Sequence, residues 1–196
     1  IGWFPKVVQM SGNSKVQVGS KGYCNASSEV KKIEVLKNFD RSMGDVHPQG
    51  NPHYTISLAR MKEVAKAIAK CLVKNGANQK TVTANLKKLS DKLEAKFQEL
   101  KKKLKIKTFY VYHREFNYLG QDFGFIFKQS LEKVPGVLPS ANYLVKMAQK
   151  AKEDKPVRVL AASTAPKRIL EKYQEMSGIT YQMLNLHPKR GEDYIQ

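Results

Sequence analysis

Between Val82 and Leu104 the apolar residues Val82, Leu86, Leu89, Leu93, Phe97, Leu100 and Leu104 recur at spacings of three and four. That period puts them on one stripe of an α-helix and leaves Lys87, Lys88, Lys92, Glu94 and Lys101 to Lys103 on its other faces. A coiled coil would prolong the stripe, but the pattern stops where the chain turns strand-like at Ile106. The segment reads as a strut across a globular body, against which the flanking elements must be arranged.

Downstream of the strut the rhythm changes to strand and helix in alternation. Thr108 to Tyr112 is a β-rich run, followed by His113 and a helical stretch from Glu115 to Phe123. Phe125 to Lys133 is extended and ends in the Pro135-Gly136 turn. Ala141 to Lys152 is helical, Val157 to Ala161 a strand, Pro166 to Met176 a helix stopped by Gly178, and Ile179 to Leu186 a last strand. This order predicts an α/β fold, a mostly parallel sheet with helices on both faces. Ligands of such sheets bind outside the carboxyl ends of the strands, where His113 and His187 fall.

Upstream the signals are more broken. Ile1 to Ser11 reads as the end of a helix with Trp3, Phe4, Val7, Val8 and Met10 as apolar contacts, and no cap precedes it. Short strands are expected at Val16-Gln17-Val18 and Ile33-Glu34-Val35, between turns marked by Gly19 and Gly22. Leu58, Met61, Val64, Ala65, Ile68 and Leu72 then recur at helical spacing up to a stop at Gly76. Cys24 and Cys71 lack the C-x-x-C spacing of a zinc or redox motif. They read as small buried residues, with a disulfide open to them in an oxidising compartment.

A net charge of +18, from 35 Lys+Arg against 17 Asp+Glu, would suit a polyanion or an anionic membrane. Most of the excess is lysine spread along the helical segments, and no zinc-finger spacing, RNP-like aromatic signature or phosphate loop accompanies it. A solvated basic surface is therefore expected, and no specific nucleic-acid partner. No apolar run approaches the roughly 20 residues of a membrane-spanning helix. The opening Ile1 and the absence of a signal-like apolar core read as a processed or shortened product.

The chain has 4 histidines, all in loops: His47, His53, His113 and His187. Two of them lie in Gly44-Asp45-Val46-His47-Pro48-Gln49-Gly50-Asn51-Pro52-His53-Tyr54, where prolines restrict the backbone beside them. Imidazole is the commonest neutral metal ligand. His53, just before a helix, and His113, at the end of an apolar strand, are the first candidates; His47 could coordinate or brace the loop. His187 has Lys189 and Arg190 beside it, and Glu192 and Asp193 are the nearest carboxylates. Two or three imidazoles with a carboxylate would suit Zn²⁺ at about 2.0–2.2 Å, and Mn²⁺ where oxygen donors increase. No H-E-x-x-H arrangement and no Ser or Cys nucleophile motif is present, so the reading is not an enzyme.

These residues carry a resemblance. The chain resembles the metal-binding substrate-binding proteins of bacterial ABC importers for zinc and manganese. Gly44 to Tyr54 is similar to that family's second ligand loop, and Tyr112-His113-Arg114-Glu115-Phe116 with Tyr118 and Phe123-Gly124 to its third. Pro135-Gly136, Pro139-Ser140, Gly178 and Gly191-Glu192-Asp193-Tyr194 follow in family order. The resemblance implies two α/β lobes joined by one long helix: a partial N-terminal lobe at 1–80, the connecting helix at 81–105 and a C-terminal lobe at 106–196. It implies a Zn²⁺ or Mn²⁺ ion between the lobes on His53 and His113, delivered to a membrane permease from a periplasmic or membrane-anchored extracytoplasmic position. The family's fourth ligand is often acidic; here that loop reads Asn185-Leu186-His187-Pro188, so His187 or Asp193 would stand in. The leading strands and first histidine loop of the family are absent before Ile1, which would weaken binding and leave an edge open to homodimer pairing. The alternative reading is a basic, non-enzymatic adhesion or scaffold module that binds polyanions.

Overall fold

The computed structural model describes residues 4–195. The carboxyl-terminal half is built on one sheet of four parallel strands, β1 (Thr108–Val111), β2 (Ile126–Ser130), β3 (Val159–Ala162) and β4 (Tyr181–Leu184), in the order β2-β1-β3-β4. Phe109 pairs with Phe127, Tyr110 with Val159 and Leu160 with Gln182, and the β1–β2 register shifts between Phe109 and Tyr110. The two central strands are almost wholly buried while the edge strands alternate, as expected when both faces are covered. The α/β class and the parallel sheet expected from the alternating pattern are both present.

Strand alternation divides the core in two. Tyr110, Tyr112, Val159 and Ala161 face α5 (Ala141–Asp154) and α6 (Lys167–Ser177), meeting Leu144, Met147, Leu170 and Tyr173. Phe109, Val111 and Leu160 face the other way, against Phe116, Leu119 and Ile56. The second face is covered by a 3-10 turn at Arg114–Phe116 and the helix α4 (Asn117–Phe123). Ser140 caps α5 by accepting from the Tyr143 amide at 3.2 Å, and Gly178, at φ 71°, closes α6 in the left-handed conformation that glycine adopts at least cost. From β1 the chain runs out to β2 and then returns to β3 on the other side of β1. The strand order reverses there, opening a crevice above the carboxyl ends of β1 and β3.

The strut is α3 (Gln79–Lys103), capped by Asn78, whose side chain accepts from the Thr81 amide at 3.0 Å. A short connection folds it back along α2 (Leu58–Lys74). Leu93 is its one buried side chain among the described residues, and Phe97 stacks on Phe123 of α4 with centroids 5.3 Å apart. The stripe thus binds α2 at one end and the sheet body at the other.

Upstream of α2 the expectations need correcting. A helix, α1 (Phe4–Met10), does form, but Phe4, Val7 and Met10 are exposed and Val8 only half-buried; Trp3 lies outside the described residues. Neither Val16–Val18 nor Ile33–Val35 forms a strand. Ser14–Val16 is a 3-10 turn, and Glu34 takes φ 55°, a left-handed conformation no ladder accepts. Three residues of alternation without a partner strand cannot bury a face. The segment is instead strapped to α2 by polar contacts. The Lys31 amide donates to Glu63 at 2.8 Å, Lys70 pairs with Glu29 at 2.9 Å, and Asn75 donates to the Lys21 carbonyl at 3.0 Å. Cys24 and Cys71 join there as a disulfide with their Cα atoms 5.8 Å apart. They are not the buried small residues expected, since Cys24 is exposed and Cys71 half-buried.

Candidate functional site

The histidine loop is shaped by two glycines. Gly44, at φ 81°, lies so close to the 134–136 turn that a Cβ would sit 2.4 Å from the Pro135 carbonyl oxygen, to which the Asp45 amide donates at 2.8 Å. A Cβ on Gly50, at φ 105°, would sit 2.8 Å from the Ile33 carbonyl oxygen and 2.9 Å from the Lys32 Cβ. The loop is thereby pressed onto both the sheet body and the preceding segment.

Asn51, buried, is the junction. Its side-chain amide donates to Glu34 at 3.0 Å and to the Arg114 carbonyl at 2.9 Å, and its side-chain oxygen accepts from the His53 amide at 2.9 Å. Its own carbonyl accepts from the buried Tyr118 hydroxyl at 2.8 Å. Glu34 also accepts from Asn117, so its carboxylate is held at both oxygens, which fits its unusual backbone conformation. One side chain with both amide hydrogens and its oxygen engaged fixes the loop carrying His53 against the segment carrying His113.

His113 leaves β1 at its carboxyl end and precedes the 3-10 turn. Its Nδ1 lies 2.7 Å from Oε2 of Glu132, which is largely buried and also accepts from the Gly136 amide at 3.0 Å. A carboxylate on Nδ1 selects the tautomer with the proton there and turns the Nε2 lone pair outward. The His53 ring stands edge-on to that of His113, with centroids 5.5 Å apart and planes at 80°. Burial and the neighbouring His113 and His47 push the His53 pKa down from 6.5 to about 4, so at neutral pH its imidazole is unprotonated.

Both rings line a cleft of about 60 Å³ together with Asp45, His47, Asn51 and Glu34. His47 Nε2 lies 3.9 Å from Asp45 Oδ1. The volume admits an ion with a few waters and falls far below the roughly 300–1,000 Å³ of an organic-ligand pocket. His187 and Asp193 do not line this cleft, although His187 is near enough for its charge to act on His53. Both are exposed and line a wider hollow of about 460 Å³ beside Ile56, Phe116 and the carboxyl-terminal tail. Among the described residues no group of three or more His, Cys, Asp or Glu side chains converges as a ready metal cage.

Sequence reading missed Glu132, Asn51, Glu34 and Asp45. Asp45 and Asn51 were visible within the histidine loop, although the partners that give Asn51 its role lie across the fold; no local pattern marks Glu34 or Glu132. Glu115, beside His113, is also buried; burial raises its carboxyl above the usual range, and Oε2 has no hydrogen-bond partner.

With this geometry in place, comparison with known proteins is decisive. The sequence profile of the family described as "Zinc-uptake complex component A periplasmic" matches residues 2–196. The chain belongs to that family. No curated protein sequence matches it. Among solved structures it is similar to ZnuA, with 22% identity, a TM-score of 0.73 and coverage of 94% of this chain and 67% of that one. It is similar to the Pseudomonas aeruginosa substrate-binding protein FpvC in complex with Mn²⁺, at 21% identity and TM-score 0.67, covering 83% and 59%. A Zn(II)-bound variant of Streptococcus pneumoniae AdcAII gives 21% identity, TM-score 0.66 and coverage of 86% and 63%. These likenesses establish the shared fold. The chain spans about three fifths of the length of the FpvC and AdcAII chains it matches.

Proposed function

We propose that this member of the zinc-uptake family carries a divalent transition-metal ion as cargo in the cleft between His53 and His113, and delivers it to an ABC importer in the membrane. One observation carries the reading. Two imidazoles from segments on opposite sides of α3 in the sequence meet at 5.5 Å in a space sized for an ion. In this reading residues 1–80 supply His53, residues 106–196 supply His113, and residues 81–105 are the connecting helix. His47 lines the same cleft and would become a third donor only by a shift of its loop toward the pair, with water completing the sphere. His187 and Asp193 would join only after the carboxyl-terminal tail moved inward.

Borderline-soft imidazole nitrogen favours zinc over manganese, which prefers more oxygen donors. The neutral state of His53 favours binding, because no proton need be displaced from it at pH 7. The role is a carrier rather than a catalyst. An extracytoplasmic location agrees with the family's periplasmic description and with the Cys24–Cys71 disulfide, which an oxidising compartment sustains. No helix among the described residues is long and apolar enough to cross a membrane.

Calorimetric titration of chelator-stripped protein with zinc tests this. A saturable one-to-one heat is expected, abolished in His53→Ala and in His113→Ala. A wild-type isotherm without saturable heat, or one unchanged by either substitution, overturns the reading.

A further inference from the structure

The cleft occupies the carboxyl end of the sheet. The opposite end carries a feature that metal binding does not use. Lys101-Lys102-Lys103-Leu104-Lys105-Ile106-Lys107 runs from the last turn of α3 to the start of β1, and all seven residues are exposed. Leu104 is 40% and Ile106 69% exposed. Lys103 pairs with Glu99 at 2.7 Å and Lys101 lies 5.9 Å over the Phe97 ring, whereas Lys102, Lys105 and Lys107 meet no carboxylate among the described residues. Two further aliphatic side chains flank this strip. The Ile126 amide donates to the Lys107 carbonyl at 3.0 Å and the Val157 amide to the Thr108 carbonyl at 2.8 Å, which places the starts of β2 and β3 on either side of it. Ile126 is 48% and Val157 46% exposed. The amino edge of the sheet is therefore a row of exposed aliphatic side chains set among lysines.

We propose that this edge docks on the surface of an anionic phospholipid bilayer. The chemistry selects that partner in two ways. Lysines near an anionic leaflet gain by long-range attraction without needing fixed hydrogen-bond geometry, while the aliphatic side chains between them enter the headgroup boundary. A nucleic acid would be read by arginine forks or stacked on aromatic rings, and the strip from Lys101 to Lys107 has neither. Because the edge lies across the sheet from the His53–His113 cleft, a docked molecule keeps its cleft open to the aqueous side.

Sedimentation with vesicles tests the proposal. Whole protein is mixed with vesicles of phosphatidylcholine alone or of phosphatidylcholine with phosphatidylglycerol. Binding is expected only to the anionic vesicles, and it should weaken strongly at about 0.5 M salt. Replacing Lys102, Lys105 and Lys107 together by Gln should lower partitioning on the order of 100-fold. Removing the same charge from α5 through Lys146→Gln, Lys150→Gln and Lys152→Gln should change it only a few-fold, through long-range attraction alone. Ile106→Ser should lower the part of the binding that survives salt. Thermal unfolding of each variant, which alters exposed side chains only, should match that of the parent. Equal binding to neutral vesicles, equal loss in the two lysine triplets, or retention on heparin without vesicle binding overturns the proposal.

Discussion

The two sides of the cleft are held by different physics. His113 stands on a body whose core is made by its own strands and helices, with Tyr110, Val159, Ala161, Leu170 and Tyr173 all essentially inaccessible. His53 stands on a segment that, among the described residues before Leu58, contributes one buried apolar side chain, Val30. That segment is kept in place by a disulfide, the Glu29–Lys70 ion pair and the hydrogen bonds centred on Asn51. One imidazole is therefore preset by packing. The other is positioned by straps, which can be cut individually.

The largest effect should come from cutting the covalent strap. Cys24 and Cys71 are separated by 47 positions, and releasing a loop of that length costs about 4 kcal/mol in the chain-entropy account. In Cys71→Ser, hydrogen exchange should accelerate through residues 4–57 while β1 to β4 keep their protection. Equal loss in both regions would break the comparison, because it would make the two halves one cooperative unit. Next comes the core itself. Leu170→Ala should cost about 3 kcal/mol in urea unfolding, whereas Leu36→Ala, at a half-buried position in the strapped segment, should cost about 1 kcal/mol or less. Similar values for the two leucines would mean that packing supports both sides.

A subtler change probes the His113 side alone. Glu132→Gln keeps the size of the side chain but removes the negative charge that favours the Nδ1–H tautomer of His113. Zinc affinity should fall about 10- to 100-fold with global stability nearly unchanged. An unaltered affinity would place the ion away from His113.

How much of this was legible beforehand follows the same division. Wherever a face had to be buried, the sequence displayed it. The stripe from Val82 to Leu104, the strand-helix alternation after Thr108, the helix beginning at Ala141 and the stop at Gly178 all correspond to elements seen in the fold. The strapped segment shows the opposite. Val16–Val18 and Ile33–Val35 look like strands because alternation is a statement about burial, and there the burial never happens. At the site, His53 and His113 were picked out because histidine is scarce here and both lie in loops beside regular elements. Glu132 and Asn51 were not, because their partners lie 19 and 63 positions away and are brought near only by the completed fold. His187 and Asp193 fell in suitable order along the chain, yet the tail carries them past the cleft into the neighbouring hollow.

The smallest expected effect links the seam to pH. His53 is neutral when folded, with a pKa lowered to about 4 from 6.5, so between those values the unfolded chain binds the proton first. Stability is complete above pH 6.5 and is lost as pH falls toward 4. The full shift would correspond to about 3 kcal/mol; because the ring keeps partial contact with solvent, about 1–2 kcal/mol is the reasonable size. Two buried carboxyls act in the other direction. Glu115 and Asp122 are held above their usual range by burial, and each adds stability as it takes up a proton on acidification. The wild-type profile alone therefore mixes opposing slopes. Subtracting the profile of His53→Gln isolates the imidazole, because Gln keeps a polar side chain of similar reach without the titration. The wild-type urea midpoint should fall steadily relative to that of His53→Gln from pH 6.5 to pH 4. A constant difference across that window would mean that His53 is protonated equally in both states, and so is not shielded by the seam at all.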